Sequence, residues 1–257
     1  MNKGKDILIL AGKGVGTNAM YHFLKKEFNI VGVIIEKPVP LSLFLKKRIK
    51  KLGFGTVFGQ LLFQFIVVKF LSLISQKRKN EIWDKKNLIK TEIDSKIVHQ
   101  VFSVNDKNTL EIIQSLKPNV IVVCGTRIIS KNILQSANAK FINIHAGITP
   151  KYRGVHGAYW ALVNNDKKNC GVTIHLVDEG IDTGSVLYQK NIEIVKKDNF
   201  VTYPIIQFTE GLGLLKLALN DILENNEKLF YPNLESKIWS HPHILKYLFN
   251  YFTKGIK

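Results

Sequence analysis

Short apolar runs alternate with helical patterns along the first half of the chain, and this alternation constrains the fold more than any other feature. The predicted strands are Asp6 to Ala11, Ile30 to Ile35 and Asn119 to Cys124, and the predicted helices are Val15 to Glu27 and Leu110 to Leu116. Strand–helix–strand units with right-handed crossovers build a mostly parallel sheet with helices on both faces. The sequence therefore predicts a Rossmann-like α/β fold, in which ligands bind at the carboxyl ends of strands.

Three polar residues are the strongest candidates for a catalytic site. The stretch Phe141 to His145 alternates like a strand, so Asn143 and His145 should project from the same face. The next predicted strand, Gly171 to Val177, leads into a glycine-containing loop that brings Asp182 towards His145. An amide, an imidazole and a carboxylate can together polarise a carbonyl, move a proton and adjust the pKa of the group that moves the proton. Acyl transfer to an amine requires these three actions, so the pattern indicates an enzyme, although an Asn and a His that cap a turn are the simpler alternative.

The stretch from Phe141 to Leu187 resembles the core of the folate-dependent formyltransferases, which move a formyl group from 10-formyltetrahydrofolate to an amine. It carries the Asn-x-His element, the turn Pro150 to Gly154 and the Asp-Glu-Gly-x-Asp-Thr-Gly loop of residues 178–184 in that order. Three motifs in order make a chance match improbable. The resemblance implies a formyltransferase fold with 10-formyltetrahydrofolate as donor and no metal.

The resemblance also implies roles for the three polar residues. His145 would be the acid/base near the attacking amine, and Asn143 would hydrogen-bond the formyl oxygen. Asp182 would orient His145 and raise its pKa, because a neighbouring carboxylate favours the imidazolium. No covalent enzyme intermediate is needed. His175 in mid-strand is expected to be a packing residue, and His156, His241 and His243 are expected to be structural.

A folate cleft is implied beside these residues. One side is the predicted pterin-binding loop Thr126, Arg127, Ile128 and Ile129, which follows the strand ending near Cys124. The other side is formed by Val177, Asp178, Glu179 and Gly180. For Arg127 alone, a surface ion pair is an equally good interpretation. Burying a flat ring between two such loops is typical of ligand pockets.

Two further groups are predicted to bind the acceptor. A glycine-rich loop after the first strand offers backbone amides that favour a phosphate, and it consists of Gly12, Lys13, Gly14, Gly16, Thr17 and Asn18. It resembles the substrate-phosphate loop of glycinamide ribonucleotide formyltransferases, with a plain tight turn as the alternative. The second group is Tyr152, Arg153 and Gly154. Arg153 stands where the ribonucleotide enzymes usually have proline, and its surroundings are closer to sugar formyltransferases.

We therefore expect the acceptor to be a small anionic amine with phosphate groups, namely an amino sugar carried on a nucleotide. The alternative is the glycinamide ribonucleotide formyltransferase of purine biosynthesis. Two further alternatives are a formyltetrahydrofolate hydrolase that uses the same cleft and a non-catalytic basic protein that binds nucleic acid or membrane. Nucleic acid is not the expected partner.

The expected organisation is a catalytic domain over residues 1–228, with a helical insertion at about 38–97, and a short aromatic-rich tail over 229–257. Ile192 to Val195 is predicted as an edge strand and Gly211 to Glu224 as a helix. The tail leaves no room for the carboxy-terminal domain of methionyl-tRNA formyltransferases, which disfavours that acceptor. The start of the chain, Met1 to Asp6, leads into a strand instead of a signal peptide, so a cytoplasmic location is expected.

The insertion combines a basic run with a long apolar stretch. Lys46 to Lys51 contains five cationic residues, and Leu52 to Ser75 contains a single charge, Lys69. That length suits a membrane span, but its glycines and glutamines weaken this interpretation. We expect instead a helical insertion that covers the acceptor site, packs on the core or forms a homodimer contact. A peripheral contact with an anionic membrane through residues 46–75 is the alternative. The net charge of +17 favours anionic partners without choosing among them, and a lysine-rich genomic bias explains it equally well.

Overall fold

A computed structural model describes residues 5–257. Residues 1–4, on which the expectation of no signal peptide partly rests, lie outside the described part. The central sheet has seven strands in the order β3-β2-β1-β4-β5-β7-β8. These strands are β1 (Asp6–Gly12), β2 (Asn29–Glu36), β3 (Val98–Val101), β4 (Val120–Cys124), β5 (Lys140–His145), β7 (Gly171–Leu176) and β8 (Val186–Asn191).

The first five strands of this sheet pair in parallel, and β7 and β8 are antiparallel to their neighbours. Two short strands, β6 (Arg153–Gly154) and β9 (Ile238–Trp239), form a separate parallel pair. The predicted α/β class with a mostly parallel sheet is confirmed. Because β1 and β4 are buried on both faces, they are continuous apolar runs, which is why they were predictable.

Ten α-helices surround the sheet within residues 5–257. They are α1 (Val15–Leu24), α2 (Leu41–Leu52), α3 (Phe54–Leu62), α4 (Lys69–Ile74), α5 (Gln76–Lys85), α6 (Lys107–Leu116), α7 (Lys131–Leu134), α8 (Gly157–Val163), α9 (Tyr203–Leu223) and α10 (Ile244–Lys254). Local chemistry sets some of these ends. The Asp106 carboxylate accepts the Thr109 N–H at the start of α6, and Lys117 ends that helix in the left-handed conformation.

Two predicted elements need correction. Ile192 to Val195 is not a strand, because the edge strand β8 ends at Asn191 and the chain then turns, with the Asp198 carboxylate accepting the Val195 N–H at 2.9 Å. The helix predicted from Gly211 begins two turns earlier, at Tyr203. Gly211 therefore lies in the middle of α9. Its missing side chain lets the helix approach the sheet closely, because an added Cβ would lie 2.5 Å from Ile144 Cδ1.

Three apolar cores hold these layers together. One core packs α1 and α9 on one face of the sheet, and a second packs α6 on the other face. The third is rich in aromatic rings and joins the insertion, α8 and the tail through Phe63, Tyr159, Phe200 and Tyr247. Burying each such ring stabilises the fold by roughly 1.5–3 kcal/mol. The insertion and the tail are therefore anchored to the rest of the molecule.

The insertion folds into helices that pack along the domain. Phe54–Ile74 is one helical run of 21 residues, made of α3, a π-helical turn over Phe63–Val68 and α4. By length and composition alone this run could cross a membrane. One of its faces is fixed to the protein, since Gln60 Nε2 donates to the His241 carbonyl at 2.8 Å.

Candidate active site

The carboxyl end of β5 supplies two of the three predicted catalytic residues. Asn143 and His145 alternate along this strand and lie on the same face. Asp182 comes from the loop after β7 and adopts a left-handed conformation, with φ 51°. His145 Nδ1 lies 3.3 Å from Asp182 Oδ2, and Asn143 Nδ2 lies 3.4 Å from Asp182 Oδ1. The structure therefore brings the amide, the imidazole and the carboxylate together.

The Asp182 carboxylate is held as an anion. The Gly154 N–H donates to its Oδ2 at 2.9 Å, and His175 Nε2 lies 3.6 Å from its Oδ1. Burial alone would raise the pKa of Asp182, but the neighbouring His175 ring, the charge that His145 carries when it is protonated and the Gly154 amide lower that pKa to about 2. Asp182 thus carries a full negative charge at neutral pH.

His145 is buried, with 6% of its surface exposed. Its Nε2 lies 2.7 Å from the Tyr152 carbonyl, and because a carbonyl only accepts, Nε2 carries the proton there. Burial lowers the pKa of His145 by more than Asp182 and the Tyr152 carbonyl raise it. Asp182 thus raises the pKa of His145, as expected of a neighbouring carboxylate, but desolvation of the imidazolium outweighs this effect and the net shift is downward.

This protonation state gives His145 one basic nitrogen. With Nε2 donating to Tyr152, the neutral ring has its lone pair on Nδ1, on the side of Asp182. A proton taken up at Nδ1 would form an imidazolium beside a carboxylate, which stabilises it. The arrangement suits a general base that becomes a general acid.

His175 belongs to this cluster, which sequence reasoning missed. It is 2% exposed, as expected of a packing residue, but its ring contacts the catalytic candidates. His175 Nδ1 donates to the Leu176 carbonyl at 2.7 Å, so Nε2 accepts from Asn143 Nδ2 at 3.2 Å. The observation that reveals the role of His175 is its pairing with Asn143 across β5 and β7. This pairing can be predicted only when the antiparallel register is known.

A cleft of about 500 Å³ opens in front of these residues. Seven of the eight predicted folate-binding residues line it: Thr126, Arg127, Ile128, Ile129, Val177, Asp178 and Gly180. Glu179 does not line it and instead lies 3.3 Å from Lys131 Nζ. The Arg127 guanidinium is bound by Glu36 at 3.0 Å, so Arg127 does form an ion pair, but its partner carboxylate is buried and not on the surface.

The predicted acceptor residues are less well grouped. Gly154 lines the cleft, whereas Tyr152 is buried and donates from its hydroxyl to Asp166 Oδ2 at 2.9 Å. The Tyr152 side chain is therefore not exposed to a ligand, and it is the backbone carbonyl of this residue that meets His145. Arg153 Nη1 donates to the Ile181 carbonyl at 3.3 Å, and its Nε is buried without a hydrogen-bond partner among the described residues.

The glycine-rich loop lies outside the cleft. None of Gly12, Lys13, Gly14, Gly16, Thr17 and Asn18 lines it. The loop closes on itself, with Thr17 Oγ1 donating to the Gly12 carbonyl at 2.6 Å, which is the tight turn considered as its alternative. Gly12 nevertheless packs beside Gly125, a residue of the cleft wall, so the loop shares the carboxyl edge of the sheet.

Other cleft residues come from the insertion and the tail. They are Arg48, Ile238, Trp239, Ser240 and His241. His241 Nδ1 lies 3.0 Å from His156 Nε2, and burial lowers the pKa of His241 to about 4 and that of His156 to about 3. Two uncharged imidazoles therefore support this wall at neutral pH. Sequence reasoning assigned both histidines a structural role, and only their long-range contacts place His241 at the cleft.

Metal ligation is not a feature of the described residues: between residues 5 and 257, no group of three His, Cys, Asp or Glu side chains is arranged to hold an ion.

A model of the formyl transferase family matches residues 58–205, more than half of the chain. The methionyl-tRNA formyltransferase of Thermodesulfovibrio yellowstonii is 43% identical over 127 residues, which are 49% of this chain and 39% of that protein. The chain spans only a third to two fifths of the length of such curated relatives.

Solved structures of sugar N-formyltransferases and phosphoribosylglycinamide formyltransferases have the same fold. An N-formyltransferase from Helicobacter canadensis, in complex with folinic acid and dTDP-3-aminofucose, has a TM-score of 0.55 at 20% identity, over 91% of this chain and 70% of that chain. Phosphoribosylglycinamide formyltransferase from Bacillus halodurans has a TM-score of 0.55 at 20% identity, over 89% of this chain and all of that chain. At these identities the similarity concerns the fold alone.

Proposed function

The chain belongs to the formyl transferase family, and from this premise we propose that it transfers the formyl group of 10-formyltetrahydrofolate to the amine of an amino sugar carried on a nucleotide. The observation that carries the proposal is the cluster of Asn143, His145 and Asp182 on the wall of the cleft. These three groups match the chemical needs of acyl transfer to an amine, which are a hydrogen-bond donor for the oxyanion, a base for the amine and a fixed anion.

The cleft has the dimensions and walls that a folate needs. Its volume of about 500 Å³ is within the usual range for small-molecule sites. Ile128 is 57% exposed at its edge and offers an apolar surface to a flat ring. Backbone groups of the Thr126 loop and of the loop after β7 can pair with the polar edge of a pterin. The folinic acid bound in the Helicobacter canadensis enzyme supports a folate donor for this chain.

When bound, 10-formyltetrahydrofolate would supply the electrophilic formyl carbon. Asn143 would donate an N–H to the formyl oxygen as negative charge develops on it, while His175 fixes the orientation of the Asn143 amide. His145 Nδ1 would take the proton from the attacking amine and return it to the leaving nitrogen of the donor. Asp182 would stabilise the intervening imidazolium. One carbon–nitrogen bond forms and another breaks, with no net change in protons.

A nucleotide-linked amino sugar is favoured by two residues that line the cleft. The aromatic side chain of Trp239 and the cationic side chain of Arg48 border it, which suits a sugar with phosphate groups. The dTDP-3-aminofucose in the complex of the Helicobacter canadensis enzyme is a compound of this class.

Glycinamide ribonucleotide is the second candidate acceptor. The loop from Gly12 to Asn18 lies at the same sheet edge as the cleft, where a ribonucleotide phosphate would need a binding site. The phosphoribosylglycinamide formyltransferase from Bacillus halodurans matches this chain over the full length of the Bacillus enzyme. The choice between the two acceptors therefore depends on a direct assay.

The test is formyl transfer by the purified protein. We expect tetrahydrofolate to form from 10-formyltetrahydrofolate only when an amine acceptor is present, and fastest with a nucleotide-linked amino sugar. The panel of acceptors includes glycinamide ribonucleotide. It also includes methionyl-tRNA, because the curated relatives are named methionyl-tRNA formyltransferases. His145→Ala should keep the fold and lose at least about a hundredfold in rate.

Three outcomes would contradict the proposal. Steady deformylation without any acceptor indicates a hydrolase. Faster transfer to glycinamide ribonucleotide or to methionyl-tRNA replaces the acceptor while keeping the chemistry. Salt-sensitive binding to RNA without any folate binding indicates a non-catalytic basic protein.

A further inference from the structure

The helical run Phe54–Ile74 leaves an apolar face uncovered. Val57, Phe63 and Leu71 are buried against the protein, whereas the opposite side carries large apolar residues that are at least half exposed. These include Phe58, Phe65, Phe70 and Leu73. Single exposed apolar residues are ordinary on a soluble protein, but several large ones along a single helical run mark an interaction surface.

The tail helix α10 also carries exposed apolar residues. Leu245, Phe249 and Phe252 on α10 are each more than 60% exposed. The two helices are packed together, with the rings of Phe63 and Tyr247 4.9 Å apart. A groove of about 800 Å³ runs between them and is lined mainly by apolar side chains of both. We call Phe54–Ile74 and α10 together the apolar helix pair.

A strong positive charge accompanies the apolar helix pair. Between Glu36 and Glu81 the chain contains no acidic residue and ten basic ones: Lys37, Lys46, Lys47, Arg48, Lys50, Lys51, Lys69, Lys77, Arg78 and Lys79. The four lysines of α2 are exposed to solvent. This helix is joined to α3 by a hydrogen bond from Arg48 Nη2 to Gln60 Oε1 at 2.6 Å. The lysines of α2 are thus held on a helix that is bonded to the apolar helix pair.

We propose that the apolar helix pair and α2 bind the surface of an anionic phospholipid bilayer, with the two helices lying in the plane of the membrane. Apolar side chains would enter the acyl boundary while the lysines of α2 meet the head groups. Exposed Phe and Leu beside Lys is the composition of helices that bind membranes in this way.

Two other occupants fit less well. A membrane span would require Phe54–Ile74 to leave the domain, which would break the contacts of Gln60 with His241 and of Phe63 with Tyr247. A second copy of the chain would bring the same basic residues of both copies together, since a two-fold contact is self-complementary. An anionic bilayer supplies both an apolar interior and the opposite charge.

The bound orientation has a consequence for the cleft. Arg48 lies on α2 and also lines the catalytic cleft. A protein attached through α2 therefore holds the mouth of that cleft next to the lipid head groups.

Co-sedimentation with vesicles tests this proposal without any formyl donor, so its result is independent of the proposed function. We expect the full-length protein to sediment with vesicles of equal parts phosphatidylcholine and phosphatidylglycerol, and to remain in solution with phosphatidylcholine alone. Phe65→Ser with Phe70→Ser should reduce binding at least tenfold, as should Phe249→Ser with Phe252→Ser. Lys46→Gln with Lys47→Gln should reduce it by roughly the same factor.

Matched control variants carry the same substitutions elsewhere. Leu217→Ser removes an exposed apolar residue of α9, and Lys107→Gln with Lys168→Gln removes two exposed cations outside the insertion. These variants should bind like the wild type, and circular dichroism checks that all variants fold.

The proposal is overturned if the wild type stays in solution with anionic vesicles. It is also overturned if the wild type is a dimer that Phe65→Ser with Phe70→Ser dissociates while vesicle binding is absent. Resistance of the bound protein to extraction by alkaline carbonate would instead show a spanning helix and would also overturn it.

Discussion

At the scale of single residues, the site is a chain of polar contacts in which each group fixes the next. Leu176 fixes the tautomer of His175, His175 orients the Asn143 amide, and Tyr152 leaves the basic nitrogen of His145 facing Asp182. Because every link is buried or nearly so, a small change in one charge alters the pKa of its neighbour.

Asp182→Asn tests this coupling through pH. Burial lowers the pKa of His145 and Asp182 opposes that shift, so removing the carboxylate charge should lower the pKa of His145 further. The acid limb of kcat/KM, measured from about pH 4 to about pH 8, should therefore move to lower pH, and the plateau should fall by at least about a hundredfold. An acid limb that moves to higher pH would contradict the assignment.

The same variant has a signature in stability. The folded pKa of Asp182 is about 2, below the ~3.9 of a free aspartate, so its contribution is present above about pH 4 and is lost as the pH falls towards 2. Asp182→Asn should lower the free energy of unfolding at neutral pH by roughly 2 kcal/mol and make the acid unfolding curve shallower. Denaturant titrations at several pH values measure both changes.

At the scale of elements, the site depends on how closely α8 approaches the end of β5. Gly157, the first residue of α8, donates its N–H to the Ala146 carbonyl at 3.1 Å, one residue beyond His145. A Cβ at this position would lie 2.5 Å from that same oxygen and 2.5 Å from Gly147 Cα. The backbone that holds His145 therefore leaves no space for a side chain on α8.

Gly157→Ala should move this backbone and lower both stability and turnover. We expect a loss of about 1–3 kcal/mol, as for overpacked cores, together with reduced kcat. Gly213→Ala is the matched control, because this exposed glycine of α9 has no neighbour within 4 Å of an added Cβ. It should stabilise the protein by up to about 1 kcal/mol through helix propensity. Thermal unfolding measures the stability of both variants. Equal changes in the two variants would contradict the close approach of α8 to β5.

Element boundaries show what the sequence can and cannot predict. The strands β1, β2 and β4 were predictable, because a buried parallel strand has few polar residues and a clear helix follows it. Asn143 and His145 could be placed on one face because strand periodicity is strictly two. His175 and Arg48 could not be found, because their contacts depend on antiparallel register and on how an insertion packs. The Ile192 to Val195 error arose because apolar residues of an irregular buried segment look like a strand.

At the scale of the whole molecule, the tail and the insertion form one structure with the catalytic half. Tyr247 of the tail is buried between Phe63 of the insertion and Tyr159 of α8. This arrangement is invisible in the sequence, where the three rings are separated by about a hundred residues each. The sequence shows only that the tail is rich in aromatic residues.

Tyr247→Ala should therefore destabilise the whole molecule. Removing a buried ring costs about 3–5 kcal/mol, and here it also separates the insertion from the tail. A single cooperative transition at a lower temperature, seen both by circular dichroism and by tryptophan fluorescence, is the expected result. Tyr231→Ala is the control, since that side chain is 76% exposed. Two separate transitions in the wild type would contradict a shared core.

The stacked rings at the cleft wall give the protein an optical signal of its own. Trp239 borders the cleft, and its indole stacks on Trp160 with centroids 4.8 Å apart. The fluorescence of these two indoles therefore comes from a position next to a bound ligand. A pterin that enters the cleft would quench this emission. Trp83, which packs on Phe208, gives a background that does not depend on the cleft. Occupancy can thus be followed by emission without a label and without turnover.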